Sequence, residues 1–351
     1  MRKLASIQKI WKIEPIPDAD QIELVHVLGW QCVANKNQFS ETELAIYFEI
    51  DSFLPVRPEF EFLRSSSFKK SELMGEGFKL RTMKFRGQIS QGLVLPLDLF
   101  PEIAEHPELW EIGTDVAELL GVRKWETEER ASTGGTIIGS LPDGVPHTDE
   151  TRVQSAPELL EEFAGLPYYI TTKMDGTSCS LMVDEEGCHV CGHNVEYKRD
   201  DACSFYQFVS RRGYLEEMCE YVQRHGIKKL VVQGEFCAPG IQKNRLKLTA
   251  PEWYVFTVIV DGKRLPLEKM VGACTEMNMI KVPIEETGRD FGAAYPTVDS
   301  LLERAQGEYP NGGQKEGIVI RTMDPVFTRT TDSGYLSMKV LNNKYLLKNG
   351  E

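Results

Sequence analysis

Alternation of apolar and polar positions predicts a series of short strands in the first third of the chain. Ile22–Val27 alternates with the period of a half-buried strand, and the turn-forming residues 15–20 come directly before it. Further strands are predicted at Leu44–Ile50, Phe78–Gly87 and Gly92–Pro96. About five strands within roughly 120 residues are typical of a small β-barrel.

The later part of the chain mixes helical and strand patterns. A short amphipathic helix is predicted over Pro157–Phe163, with Ser155 placed to cap it. A longer helix is predicted over roughly Ala202–His225, ending at Gly226. Because strands and helices do not alternate one for one, we expect an α+β fold with largely antiparallel sheets. Strands are predicted at 177–183, 188–195, 229–236, 253–260, 316–322 and 335–341.

Composition changes between these two parts. The charged run Glu126–Arg130 is followed by residues rich in glycine, proline and small polar side chains at 132–146. Such composition is typical of a linker. The sequence therefore predicts a first domain over residues 1–125, for which an OB-type barrel is the natural candidate, a linker over 126–147 and a second domain over 148–351.

Composition and charge exclude several classes of protein. Of 351 residues, 41% are hydrophobic and 26% charged, which excludes a largely disordered chain. No apolar run approaches the roughly 20 residues of a membrane helix, and the eight scattered cysteines favour reduced thiols. We expect a monomer in the cytoplasm or the nucleus. The net charge of -13 argues against coating nucleic acid by bulk charge, but it does not exclude a local basic cleft.

The segment 170–178 carries the first candidate for chemistry. Lys173 stands at an apparent strand end, and Asp175 follows two residues later, so both side chains can point into one pocket. Gly176 allows a tight approach of the backbone. A lysine is a nucleophile only as the neutral amine, which requires a lowered pKa. Taken alone, the pattern more often marks a surface ion pair at a turn than a catalytic site.

Four other positions extend this candidate site. Glu235 ends a buried-looking strand, Glu316 opens another, Lys339 lies within a third and Phe256 lies in an aromatic-rich strand. Nucleotidyl transfer from a nucleoside triphosphate requires cations at the α-phosphate, carboxylates that hold Mg²⁺ and a ring that stacks on the base. The set supplies each of these groups.

The order of these motifs resembles that of the covalent nucleotidyltransferase superfamily, which includes DNA ligases, RNA ligases and capping enzymes. Residues 148–154 and 234–244 are more similar to the corresponding segments of ATP-dependent RNA ligases. Residues 15–30 and 85–93 resemble the OB module that precedes the transferase domain in one clade of these enzymes. That clade seals nicked duplexes in which the 3′-OH strand is RNA.

The resemblance implies a fold and a reaction. The fold would be an OB-type β-barrel followed by a nucleotidyltransferase (ATP-grasp-like ligase) domain of antiparallel sheets with flanking helices. With ATP and Mg²⁺ or Mn²⁺, the enzyme would form a lysyl-AMP, transfer AMP to a 5′-phosphate and seal the nick with the 3′-OH. The partner would be a nicked RNA-containing duplex, with no membrane.

The resemblance also implies roles for particular residues. Lys173 would be the catalytic nucleophile, Phe256 would stack on adenine, and Lys339 and Arg152 would contact phosphates. At the position of His193 the relatives usually carry arginine, so either His193 or the nearby Lys198 or Arg199 would replace it. The metal would be held by Asp175, Glu235 and Glu316. The nucleotide-binding set comprises Arg152, Thr172, Asp175, Gly176, His193, Glu235, Phe256, Glu316 and Lys339.

Basic residues of the first domain are candidates for nucleic-acid contact. Lys79, Arg81, Lys84 and Arg86 fall on one predicted strand, where charged side chains ordinarily face solvent. In an OB module such a row is suited to follow a phosphate backbone.

Two further functions remain open from the sequence. One is a DNA ligase or a GTP-dependent capping enzyme that uses the same chemistry. The other is a nucleic-acid-binding protein whose transferase site has decayed.

Overall fold

The computed structural model describes residues 2–126 and 133–349, which form two compact units. The first unit comprises residues 2–126, Val153–Pro157 and the segment from Asn343 onward. The second comprises residues 133–152 and Glu158–Asn342. Residues 127–132, which hold most of the predicted charged run, lie outside the described residues. The linker and the domain boundaries therefore remain predictions.

Short strands build the first unit. They form a five-stranded antiparallel sheet in the order β10-β4-β1-β2-β3, a four-stranded sheet in the order β11-β5-β7-β6, and the hairpin β8-β9. In chain order these strands are β1 (Ala5–Pro15), β2 (Ile22–Val27), β3 (Trp30–Asn35), β4 (Leu44–Phe48), β5 (Ser52–Pro55), β6 (Phe68–Ser71), β7 (Gly75–Lys79), β8 (Thr82–Phe85), β9 (Gln88–Gln91), β10 (Leu93–Pro96) and β11 (Arg123–Lys124).

The core of the first unit lies on the inward positions of these alternating strands. Ile7, Ile46 and Phe48 from the larger sheet pack with Phe78 from the smaller one and with Phe60. Each of these side chains is fully buried. The predicted strands at 22–27, 44–50 and 92–96 are confirmed within two residues at each end.

The single strand predicted over Phe78–Gly87 is wrong. The amide of Leu80 donates to the carbonyl of Ser52, and the carbonyl of Leu80 accepts from the amide of Asp51. Beyond Leu80 the chain changes partner, because β8 pairs with β9 instead of β5. The alternation of apolar and polar residues continues past Leu80, so the sequence pattern could not show that the strand ends there.

The second unit contains two antiparallel sheets. A seven-stranded sheet has the order β12-β16-β15-β14-β17-β18-β19, and a four-stranded sheet has the order β20-β13-β21-β22. The strands are β12 (Ile137–Ser140), β13 (Tyr168–Lys173), β14 (Thr177–Asp184), β15 (Gly187–Cys191), β16 (Val195–Tyr197), β17 (Leu230–Cys237), β18 (Glu252–Val260), β19 (Lys263–Arg264), β20 (Ile284–Gly288), β21 (Gly317–Thr322) and β22 (Ser337–Leu341). The strand predicted at 188–195 is two strands, because the chain turns at Gly192, whose amide donates to the carbonyl of Val195.

Helices flank these sheets, and three of them, α4, α5 and α6, pack on the seven-stranded sheet through the core of the second unit. Short 3₁₀ segments occupy Pro58–Leu63, Leu97–Leu99, Pro107–Leu109 and Val153–Ser155. The α-helices are α1 (Arg64–Ser67), α2 (Pro101–Ala104), α3 (Leu159–Phe163), α4 (Ser204–Arg212), α5 (Tyr214–His225), α6 (Leu267–Glu276), α7 (Phe291–Ala294), α8 (Val298–Arg304) and α9 (Asn343–Asn349).

Two helix predictions need correction. The helix predicted over Ala202–His225 is broken at Gly213, whose φ of 68° ends α4 and starts α5. Gly226, with φ 64°, ends α5 as predicted. Ser155 does not cap α3, because α3 begins at Leu159 and Ser155 ends a separate 3₁₀ turn.

No helix in residues 2–126 and 133–349 is long and apolar enough to cross a membrane.

Candidate active site

The two sheets of the second unit bring Lys173 and three carboxylates to one place. Lys173 ends β13, and its strand partner Gly317 opens β21 directly after Glu316. Ser178 of β14 pairs with Glu235 of β17. The chain therefore passes from one sheet to the other through Met174, Asp175 and Gly176, which places the predicted motif at the edge of both sheets.

Two glycines permit this close approach. A Cβ atom at Gly176 would lie 2.4 Å from the carbonyl oxygen of Phe236, and one at Gly317 would lie 2.1 Å from that of Val340. No side chain is accommodated at such distances without a backbone shift. The glycine steps that the sequence shows beside Asp175 and Glu316 are thus required by the packing of the strands.

Lys173 is held by an ion pair and its backbone by a tyrosine. Its Nζ lies 2.7 Å from Oε1 of Glu316. The Tyr309 hydroxyl donates to the carbonyl of Lys173 at 2.7 Å and accepts from the amide of Glu316 at 3.2 Å. Tyr309 is buried and was not found from the sequence, because a tyrosine in a loop carries no distinguishing pattern. One phenol therefore fixes the spacing of the two backbones that carry the ion pair.

The carboxylates around Lys173 control its protonation. Burial would lower the pKa of Lys173, but Glu316, Glu235 and Asp175 outweigh burial and raise that pKa above the ordinary value of lysine. Burial raises the pKa of Glu235 to about 7, with Lys173 opposing and Glu316 adding to the rise. The lowered lysine pKa that nucleophilic attack requires is thus not produced by these protein groups. The pKa of the amine can fall only when the negative charge of these carboxylates is offset by a cation.

Asp175 and Glu235 are each held in place by a neighbour. Asp175 is buried and forms a short ion pair with Nη1 of Arg245, in the loop after β17. Glu235 accepts a hydrogen bond from the amide of Gly176 at 3.1 Å. Arg245 was missed from the sequence, because its loop has no periodic pattern. It compensates the charge of a carboxylate that helps to raise the pKa of the Lys173 amine.

Phe256 owes its place to a β-bulge. Gln233 pairs with Thr257 and Gly234 pairs with Val255, so Phe256 is the extra residue in β18. Bulges re-aim side chains and are frequent beside active sites. The half-buried ring lies 5.6 Å from the guanidinium carbon of Arg321 and packs against the apolar cluster that contains Met174. The predicted stacking residue therefore shares the half-buried face of β18 with Tyr254, beside the residues that follow Lys173.

The remaining predicted nucleotide-binding residues lie along the edges of this region. Lys339 of β22 donates its amide to the carbonyl of Thr151 at 2.8 Å and forms a bridge with Arg152. His193 Nε2 lies 3.2 Å from Asp149. The Thr172 hydroxyl donates to Glu285 at 2.7 Å on the face of β13 opposite to the Lys173 side chain, so the structure does not bring this side chain to the amine.

The four basic residues predicted to contact nucleic acid do not share a strand. Lys79 ends β7, where its Nζ lies 5.5 Å from the ring of Trp125, whereas Lys84 lies in β8 and Arg86 in the turn that follows. Arg81 falls between the two strands. Arg81, Lys84 and Arg86 are exposed, so contact with nucleic acid remains a prediction. The prediction that the four basic residues share one continuous strand is wrong.

Comparison with known proteins identifies the family. A model of the RNA ligase family matches residues 166–341, and a model of an OB-fold domain matches residues 4–97. The chain belongs to the RNA ligase family. The predicted α+β architecture, an OB-fold module ahead of a ligase domain, is confirmed, as is the predicted enzyme class.

Solved structures resemble this ligase along its whole length. A Naegleria gruberi RNA ligase variant with AMP and Mn is 32% identical, with 98% of each chain covered and a TM-score of 0.86. A second variant, with ATP and Mn, is also 32% identical, with the same coverage and TM-score. The same organism's ligase with PPi is 31% identical over 99% of this chain and 98% of its own, with a TM-score of 0.85. A comparison with curated proteins returned no match.

The bridge formed by Tyr309 has a measurable consequence for the ligase. In Tyr309→Phe, the carbonyl of Lys173 and the amide of Glu316 lose their shared partner in a buried site, which costs about 1–3 kcal/mol of stability. We expect ATP-dependent ligation of RNA to slow about tenfold, because a small displacement of reacting groups is costly. Tyr254→Phe, in the same apolar cluster, is the control and should ligate at the wild-type rate. Equal rates for the two variants would contradict the role of the bridge.

Proposed function

We propose that this RNA ligase uses ATP and a divalent cation to seal 3′-OH/5′-phosphate nicks in duplexes whose 3′-OH strand is RNA. The observation that carries the proposal is the partly buried Lys173 amine, 2.7 Å from Glu316 and within the electrostatic reach of Glu235. The N. gruberi structures with ATP and Mn, with AMP and Mn and with PPi support the choice of nucleotide and metal.

The first step is nucleotidyl transfer to the lysine. The Nζ of Lys173, once it has lost a proton, attacks the α-phosphorus of ATP. A phosphoramidate N–P bond forms, the bond between the α-phosphorus and the bridging oxygen breaks, and pyrophosphate leaves with that electron pair. Phe256 is proposed to cover one face of the adenine, and Asp175 and Glu235 are proposed to contact the ribose or orient the amine.

The next two steps move AMP and join the ends. The 5′-phosphate of the nick attacks the lysyl-AMP, which regenerates the Lys173 amine and leaves an adenylylated 5′ end. The 3′-OH then attacks the 5′-phosphorus and displaces AMP, so that one phosphodiester bond forms for each ATP consumed. Lys339 and Arg152 are proposed to offset the charge of the phosphates during these transfers.

The carboxylates suit a cation that keeps its water shell. In residues 2–126 and 133–349 no three His, Cys, Asp or Glu side chains form a group that could hold a metal directly. Mg²⁺ commonly retains several waters and is bound by one or two carboxylates together with substrate phosphates. Glu316 and Glu235 fit that role, while Asp175 is compensated by Arg245. When bound, the cation would offset carboxylate charge and so lower the pKa of the lysine amine.

A sealing assay tests the substrate class. Nicked duplexes with RNA or DNA at each side of the nick are incubated with ligase, ATP and Mg²⁺. We expect sealing when the 3′-OH strand is RNA and at least about tenfold slower sealing when it is DNA, the difference expected from a site that hydrogen-bonds the 2′-OH. Equal sealing of all-DNA nicks would favour a DNA ligase, and labelling by GTP in preference to ATP would favour a capping enzyme.

A further inference from the structure

One partly buried carboxylate, Glu285, contacts the sequence neighbours of both members of the Lys173–Glu316 ion pair. Its Oε1 accepts from the hydroxyl of Thr172 at 2.7 Å and from Nζ of Lys315 at 2.9 Å. Thr172 precedes Lys173, and Lys315 precedes Glu316. Glu285 thus links the two chain segments that present the reacting amine and its counter-charge.

Glu285 reaches this position through a bulge in β20. Ile170 pairs with Glu286 and Thr171 pairs with Ile284, so Glu285 is the extra residue between them. Successive side chains of a strand point to opposite faces, so Thr172 and its partner Glu285 lie on the face of β13 opposite to the Lys173 amine. The carboxylate therefore lies on the face of the strand that does not carry the Lys173 amine.

The network around Glu285 is charge-balanced and costly to disturb. Glu285 also accepts from Arg304 at 2.8 Å, and Arg304 in turn donates to Glu286 at 3.1 Å. Lys315 is only 6% exposed, and lysine is almost never so buried without a partner. Burial would raise the pKa of Glu285, but hydrogen bonds from Lys315, Thr172 and Arg304 lower it. The group stays a carboxylate and holds both donors.

We propose that Glu285 is a positioning residue for the adenylylation step, and that it sets the distance between Lys173 and Glu316 by holding Thr172 and Lys315. The proposal rests on the proposed function of Lys173 as the nucleophile. Two residues would then fix this distance. Tyr309 hydrogen-bonds to the backbones of Lys173 and Glu316, and Glu285 hydrogen-bonds to the side chains of Thr172 and Lys315.

The strand offers a matched control at the next residue. Glu286 accepts from Tyr168 at 2.6 Å, from Tyr295 at 2.8 Å and from Arg304, and it bonds to neither Thr172 nor Lys315. Glu285→Gln and Glu286→Gln each remove one negative charge from the same network. Only the first weakens the link between the two segments of the site.

The test measures the rate of self-adenylylation against ATP concentration. For Glu285→Gln we expect the maximal rate to fall about tenfold while the KM for ATP stays within about threefold, because the change concerns alignment and not nucleotide binding. Glu286→Gln should label within about twofold of wild type. A wild-type rate for Glu285→Gln, or equal losses in both variants, would overturn the proposal.

A double variant separates positioning from stability. In Glu285→Gln/Lys315→Met both members of the ion pair become neutral, so the buried unpaired cation is removed and thermal stability should recover relative to Glu285→Gln. We expect the maximal rate to stay low, because the link between Thr172 and the segment before Glu316 is still absent. Recovery of the rate together with stability would show a merely structural role. If wild type itself acquires no AMP, the proposed function fails with the inference; if wild type and Glu285→Gln label alike, only the inference fails.

Discussion

Lys173→Ala should acquire no covalent AMP when it is incubated with ATP labelled in the α-phosphate and Mg²⁺. Wild type should carry the label through an acid-labile bond, since a phosphoramidate is hydrolysed in acid. The substitution removes the attacking nitrogen itself, so we expect the labelling rate to fall by at least about a thousandfold. The measurement is the radioactivity that stays with the protein after denaturing electrophoresis.

Two controls accompany this experiment. Lys263→Ala removes an exposed lysine of β19 in the same unit and should label like wild type. A nick that already carries AMP on its 5′-phosphate should still be sealed by Lys173→Ala, because that step does not use the lysine as a nucleophile. Labelling of Lys173→Ala at the wild-type rate would show that another residue is the nucleophile.

Glu150→Gln should be the most destabilising single charge removal in the ligase unit. Glu150 and Arg321 are both buried, and Oε1 of Glu150 lies 2.6 Å from Nη2 of Arg321. Ser337 donates to the other carboxylate oxygen. Breaking a buried pair from one side leaves an uncompensated charge, which costs about 3–5 kcal/mol. Urea unfolding of wild type and variant at neutral pH measures the difference.

The pH dependence of this effect follows from the pKa of Glu150. Burial would raise that pKa, but Arg321 and Arg264 outweigh burial and lower it below the usual range. The stabilisation is therefore complete above the unfolded-state pKa of glutamate and is lost as the pH falls toward the folded-state pKa. The difference in the free energy of unfolding between wild type and Glu150→Gln should therefore become smaller in acid. Exposed Glu186→Gln is the control, and an equally small loss in both variants at neutral pH would contradict the assignment.

The sequence predicted the parts of the site that lie on regular strands. Lys173, Glu235 and Lys339 stand where the strand alternation places them, and glycines beside Asp175 and Glu316 mark close backbone contacts. Such positions can be predicted because side chains of a strand alternate with a fixed period and because only glycine fits at a very close backbone contact. The residue types then limited the chemistry to nucleotidyl transfer.

The sequence could not predict groups that depend on irregular backbone. Glu285 sits in a bulge, where one extra residue shifts the face to which a side chain points. Phe256 also lies in a bulge, and it was predicted from the order of the motifs and not from the strand period. Tyr309 and Arg245 reach the site from loops, so only the folded chain shows which backbone they meet. The change of pairing at Leu80 could not be predicted for a related reason. The two-residue period of apolar and polar positions continues even where the chain pairs with a different strand.

The helix α9 belongs with the first unit although it is encoded after the whole second unit. It lies against β8, so the hairpin that carries Lys84 gains its last neighbour only when residues 343–349 have been synthesised. The first unit can therefore acquire this contact only after the second unit has been synthesised.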